Sequence, residues 1–115
     1  MTRRGSKVDA NQAAVVADLR ALGWSVLDTS GAGDGFPDIV VGIGGRLPAF
    51  APPQNARGVV CDGEVYMVEI KAPGGKLRKA QQELAWTWRG NYVVAETAEA
   101  VVEAVAQIRA ARKVR

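Results

Sequence analysis

The chain has 115 residues, 48% of them hydrophobic, and 15 Lys+Arg against 12 Asp+Glu give a formal net charge of +3. That length suits one α/β-sized domain over residues 1–115 whose core needs no metal or disulfide staple, and the single cysteine, Cys61, excludes an internal disulfide and fits a reducing cytoplasm. No histidine is present, which excludes His-based acyl transfer, zincin motifs and a His general base, and leaves too few ligands for a mononuclear zinc centre.

In chain order, "DANQAAVVADLRAL" (9–22) predicts an amphipathic helix with Val15, Val16, Leu19 and Leu22 as its apolar stripe, Asp9 as its cap and Gly23 as its stop. "WSVLD" (24–28) alternates as a first strand, and "TSGAGDGF" (29–36) is a Gly-rich turn that opens space at the start of the next strand. "DIVVGI" (38–43) is apolar and β-branched, which predicts a second strand buried on both faces. Residues 44–62 contain three prolines and read as a long loop or flap. "EVYMVEIK" (64–71) is a third strand broken by "APGGK". "LRKAQQELAWTWRG" (77–90) is a second helix, "NYVVAE" (91–96) a fourth strand, and "TAEAVVEAVAQIRAARK" (97–113) a final helix opened by Thr97. The order αβββαβα predicts an α/β fold with a mixed sheet flanked by helices.

No run approaches the ~20 apolar residues of a membrane span. The segment "MTRRGSKVDANQ" is basic without the apolar stretch of a signal peptide, so the expectation is a cytoplasmic protein. Basic residues cluster at both ends (Arg3, Arg4, Lys7; Arg109, Arg112, Lys113, Arg115), which fits solubilising tails. A third cluster, Lys71, Lys76, Arg78 and Lys79, lies beside the acids described next.

Side chains alternate along a strand, so Glu69 and Lys71 point to one face, roughly 6–7 Å apart, while Val68 and Ile70 point to the other. If 38–43 and 64–71 pair as an antiparallel hairpin, Asp38 comes beside Glu69 and Lys71. Pro37 locks the backbone entering that strand, and Gly31, Gly33 and Gly35 keep bulk away from it. Two carboxylates without histidine point to Mg²⁺ or Mn²⁺, hard cations that take oxygen ligands. Asp38, Glu69 and the backbone carbonyl of Ile70 would be the ligands, with Lys71 stabilising charge on a phosphoryl transition state or orienting water. Each piece has a plainer reading: Pro-Asp is an ordinary turn dipeptide, and E-x-K on a strand also makes a surface salt bridge.

"PD" (37–38) and "EIK" (69–71) together resemble the PD-(D/E)XK nuclease motif. "DANQAAVVADLRALGWSV", "GFPDIVVG", "VEIKAPGGKLRKAQQELAW" and "YVVAETAEAVVEAV" are similar to small stand-alone VRR-NUC-type proteins often encoded by phages, over residues 9–105 apart from an insertion at 44–63. The resemblance implies a restriction-endonuclease-like core and a Mg²⁺- or Mn²⁺-dependent DNA endonuclease acting on branched or junction DNA; a domain this small covers little DNA, which predicts a homodimer presenting two sites. It makes Gln81, rather than Gln82, an assisting active-site residue on the second helix. Where such proteins carry a Glu on the first helix, this chain has Ala14, with Asp9 and Asp18 the nearest acids.

Lys76, Arg78 and Lys79 are candidates to grip DNA phosphates. Asp34 reads as a turn aspartate or a further ligand, and Trp86 and Trp88 fall on different helix faces, which predicts one in the core and one half-exposed. Two other function classes remain: a catalytically weak or inactive DNA- or partner-binding module with the same fold, and a phage structural protein that uses 44–63 as its contact.

Overall fold

The structure, a computed structural model, describes residues 3–33, 35–45 and 62–114, with side chains from residue 11 to 113. Arg3–Ala21 form α1, Ser25–Asp28 β1, Ile39–Ile43 β2, Glu64–Ile70 β3, Lys79–Thr87 α2, Asn91–Ala95 β4 and Ala98–Val114 α3, with one 3₁₀ turn at Ser30–Ala32. The strands make one mixed sheet in the order β1-β2-β3-β4. The first three run antiparallel, and β4 is parallel to β3 after the crossover through α2. Among the described residues no helix is long and apolar enough to cross a membrane.

Strand alternation sorts the side chains. Val26, Ile39, Val41, Ile43, Tyr66, Val68, Ile70, Val93 and Ala95 turn to one face and pack under Val15, Val16 and Leu19 of α1 and Val101 and Val105 of α3. Leu19, Ile39 and Val68 are each fully buried, and burying such a side chain contributes about 1.5–3 kcal/mol. The opposite face carries Met67, Glu69, Tyr92 and the exposed Val94, and Gln81 of α2 reaches Glu69 there.

Two turns fix the geometry at one end of the sheet. Before β2, Thr29 donates from its amide to the Asp38 carbonyl and from its hydroxyl to the Pro37 carbonyl, both at 2.8 Å. After β3, the Gly75 amide reaches the Ala72 carbonyl at 2.8 Å with Gly74 at φ +76°. Proline then glycine at the two central positions is the chemistry of a type II turn, and it sends the chain back toward α2.

Several expectations change. Helix α1 starts at Arg3, so Asp9 lies inside it rather than at a cap, and Leu22 falls past its end and is exposed. Strand β2 is fully buried on one face only, because α2 spans nine residues and leaves Val40 and Gly42 half-covered. Helix α2 is shorter than 77–90, ending as Trp88 turns extended. Neither of its tryptophans is core: Trp86 is 88% exposed and Trp88 42%, while Trp24 packs against the core instead. Arg109 and Arg112 lie within α3 and bond to Glu64 and Asn91, so they anchor that helix to the sheet rather than forming a tail. The capping role of Thr97 is present, its hydroxyl accepting from the Ala100 amide at 3.1 Å. Asp34, Cys61, Arg115, residues 46–61 and the side chains of Arg3, Arg4, Lys7 and Asp9 lie outside the described residues.

Gly35 is a glycine that the approach of α2 to β2 requires. It sits at φ +79°, and a Cβ there would lie 2.9 Å from the Ala80 Cβ at the start of α2. Gly31 has nothing within 4 Å of such a Cβ. Thermal melts should therefore show Gly35→Ala destabilised by roughly 2–4 kcal/mol, from left-handed backbone plus overpacking, and Gly31→Ala close to wild type.

Candidate functional site

The antiparallel register Ile39↔Val68 places Asp38 across from Glu69, both on the face away from α1 and α3. Asp38 sits immediately before β2, and its Oδ2 accepts a 2.8 Å bond from the Ile70 amide. That bond uses an amide at the end of β3, beyond the pairing of the first residue of β2. The Lys71 amide bonds the Ala95 carbonyl on the opposite side, so Ile70 turns both its N–H and its carbonyl toward Asp38.

Gln81 joins these residues to α2. Its Nε2 donates to Glu69 Oε2 at 2.6 Å, and its Oε1 accepts from Lys71 Nζ at 2.9 Å and from the Arg78 amide at 2.8 Å. The Arg78 amide lies at the start of α2 and otherwise has no intrahelical partner. One buried amide side chain thus caps the helix and holds both the acid and the lysine. Lys71 Nζ lies 3.5 Å from Glu69 Oε2, with the lysine side chain 16% exposed and the glutamate 3%. A surface salt bridge does not describe a carboxylate so deeply covered.

Glu69 is underpaired for its burial. Oε2 has two partners, whereas Oε1 is buried and has no hydrogen-bond partner among the described residues. Burial first, then the charge of Asp38, push the Glu69 carboxyl up to about 7, with Lys71 pulling it partly back. Asp28, near the same end of the sheet on β1, is held below the usual range by the Ser30 hydroxyl and amide.

The expected set Asp38, Glu69, Ile70, Lys71 and Gln81 is therefore brought together around one strand end, and Gln82 is not: it is exposed and bonds the Leu77 carbonyl. Lys76, Arg78 and Lys79 are all exposed at the approach to and start of α2, where the first turn carries no acid. A cleft of about 350 Å³ borders Lys71 between Gly75, Val94 and Thr97. Ala14 lines a separate small cleft with Asp18, Glu96 and Glu99. The α1 residue that reaches the strand end is Asn11, one turn earlier, whose amide nitrogen lies 3.4 Å from the Lys71 carbonyl. The ends of the 46–61 segment, Gly45 and Asp62, flank the Ile43↔Glu64 pair, the opposite end of the hairpin from Asp38 and Glu69.

Asn11, Thr29 and Tyr92 complete the surroundings, and no sequence motif marks them. No family model, curated protein or solved structure matches the chain.

The donor set fits a hard divalent cation. Asp38 and Glu69 supply carboxylate oxygens, Ile70 a carbonyl, and the unpartnered Glu69 Oε1 is the kind of buried acceptor a cation would satisfy. Among the described residues no three acidic, His or Cys side chains group together, and Asp38 and Glu69 are the two carboxylates brought to this strand end. Because folding raises the Glu69 pKa, the protonated form is favoured in the fold. Its contribution is present below the ordinary value and lost as pH rises through about 7. In EDTA, the melting temperature should fall between about pH 5 and about pH 8, and Glu69→Gln should flatten that slope.

Proposed function

We propose that the chain is a metal-dependent nuclease that hydrolyses phosphodiester bonds in DNA, with Mg²⁺ or Mn²⁺ held by Asp38, Glu69 and the Ile70 carbonyl. The observation that carries this reading is Glu69: a carboxylate 2% exposed, beside a second carboxylate, with one oxygen unpartnered and the other held by Gln81 and Lys71. An acid whose carboxyl is raised by burial and a neighbouring charge is a mark of functional sites.

A divalent cation, when bound, neutralises phosphate charge and makes a water more acidic. In hydrolysis the water oxygen bonds to phosphorus, the P–O bond to one sugar oxygen breaks, and that oxygen takes up a proton. Lys71 places its ammonium where negative charge builds on the phosphoryl oxygens. Gln81 fixes the rotamers of Lys71 and Glu69 from the other side, and the exposed Lys76, Arg78 and Lys79 supply phosphate contacts beside the cut. The four-stranded mixed sheet with the acids at the ends of β2 and β3 is compatible with a restriction-endonuclease-like core. Leu27, Val65 and Trp86, at 66%, 57% and 88% exposed, give that side of the molecule apolar surface suited to a second copy. A homodimer would present two sites to a branched substrate.

The two-carboxylate set also favours a second reading, a DNA-binding module with weak or no catalysis. Cleavage of labelled linear, flap and four-way-junction DNA in Mg²⁺, Mn²⁺ or EDTA separates them. The nuclease reading expects metal-dependent cutting, lowered at least about 100-fold in Asp38→Ala and Lys71→Ala and about 10-fold in Gln81→Ala. Salt-sensitive binding without cutting by folded wild type, even in Mn²⁺, selects the binding module. In either case Lys76→Ala, Arg78→Ala and Lys79→Ala should weaken DNA binding, and each should lower its salt slope by about one for every phosphate no longer neutralised.

A further inference from the structure

Tyr92 carries a buried polar group, among the described residues, that the site as described leaves unexplained. It lies on β4 opposite Met67, two residues before the Val94↔Glu69 pair. Alternation along both strands therefore puts its ring on the Glu69 face, diagonal to the carboxylate and within reach of a long aromatic side chain. The ring is half-buried, yet its hydroxyl oxygen is covered and has no hydrogen-bond partner. Only one other buried side-chain oxygen among the described residues shares that condition, and it is Glu69 Oε1.

Two unsatisfied oxygens on one face of adjacent strands have a common remedy. Each costs about 1–3 kcal/mol if left without a partner. Once the Glu69 carboxyl ionises, Oε1 accepts only, so a cation satisfies it. A phenol both donates and accepts, and so suits a hydration water accompanying that cation, because small divalent cations retain much of their hydration shell. Resting on the nuclease-site reading, we infer that Tyr92 is a positioning residue whose hydroxyl holds one hydration water of a divalent cation seated at Asp38 and Glu69. Burial, followed by the charges of Glu69 and Asp38, pushes its phenol up to about 12, so the hydroxyl keeps its proton at neutral pH.

The test compares wild type, Tyr92→Phe and Asp38→Asn by calorimetric titration with Mn²⁺, alongside melting temperatures in EDTA. Phenylalanine keeps the ring and removes only the oxygen. The expected result is Mn²⁺ binding by wild type, none by Asp38→Asn, and about 10-fold weaker binding by Tyr92→Phe. The metal-free Tyr92→Phe protein should melt at the wild-type temperature or slightly above it, since an unpartnered buried hydroxyl has been deleted. Equal Mn²⁺ affinity in wild type and Tyr92→Phe overturns the tyrosine's role alone. A lowered melting temperature for metal-free Tyr92→Phe also overturns it, by making the hydroxyl part of the fold. A folded wild type that binds no Mn²⁺ overturns the site reading, and the tyrosine's role with it.

Discussion

The site depends on keeping Glu69 ionisable inside protein. A carboxylate 2% exposed is expensive to charge unless hydrogen bonds and opposite charge surround it. Here the compensation is partial by construction: Gln81 and Lys71 serve one oxygen, and the other is unpaired. Much of the local architecture follows from delivering Gln81 to that place. The type II turn at Ala72–Gly75 reverses the chain, Gly35 removes the Cβ that would strike Ala80, and the Gln81 side chain caps the helix that carries it.

The two ends of the sheet show the same residue types put to different use. At the far end, Glu64 accepts from Arg109 at 3.0 and 3.2 Å and from the Tyr66 hydroxyl, and the Arg109 hydrogen bond leads the causes that hold its carboxyl below the usual range. That is a carboxylate satisfied by its partners, and it fastens α3 to β3. At the near end, Glu69 faces Asp38 and its carboxyl is raised. Two acids set against each other on adjacent strands repel when both are ionised, and such opposed pairs cluster at functional sites.

Much of this is legible in the sequence. Strand parity alone puts Glu69 and Lys71 on one face, and the order of elements implies the mixed α/β sheet. The offset of about ten residues taken from the family resemblance picks Gln81 over Gln82. Tyr92 is hidden because "YVVA" reads as an ordinary apolar strand, and its facing depends on a parallel register that the folded crossover sets. The exposure of Trp86 and Trp88 is equally hard to foresee, because a helix of nine residues ends before Trp88 and covers too little of the sheet to bury either. Asn11 rather than Ala14 reaches the strand end because helix phase relative to the sheet edge is a tertiary property, and family spacing does not determine it.

An anomalous difference map from crystals of wild-type protein soaked in Mn²⁺ asks most directly whether Glu69 and Asp38 hold a cation. A single strong peak is expected, bounded by Asp38, Glu69 Oε1 and the Ile70 carbonyl, with Gln81 still bonded to Glu69 Oε2. No peak there at saturating Mn²⁺, with Glu69 Oε1 instead satisfied by a protein donor or an ordinary water, would contradict the metal site.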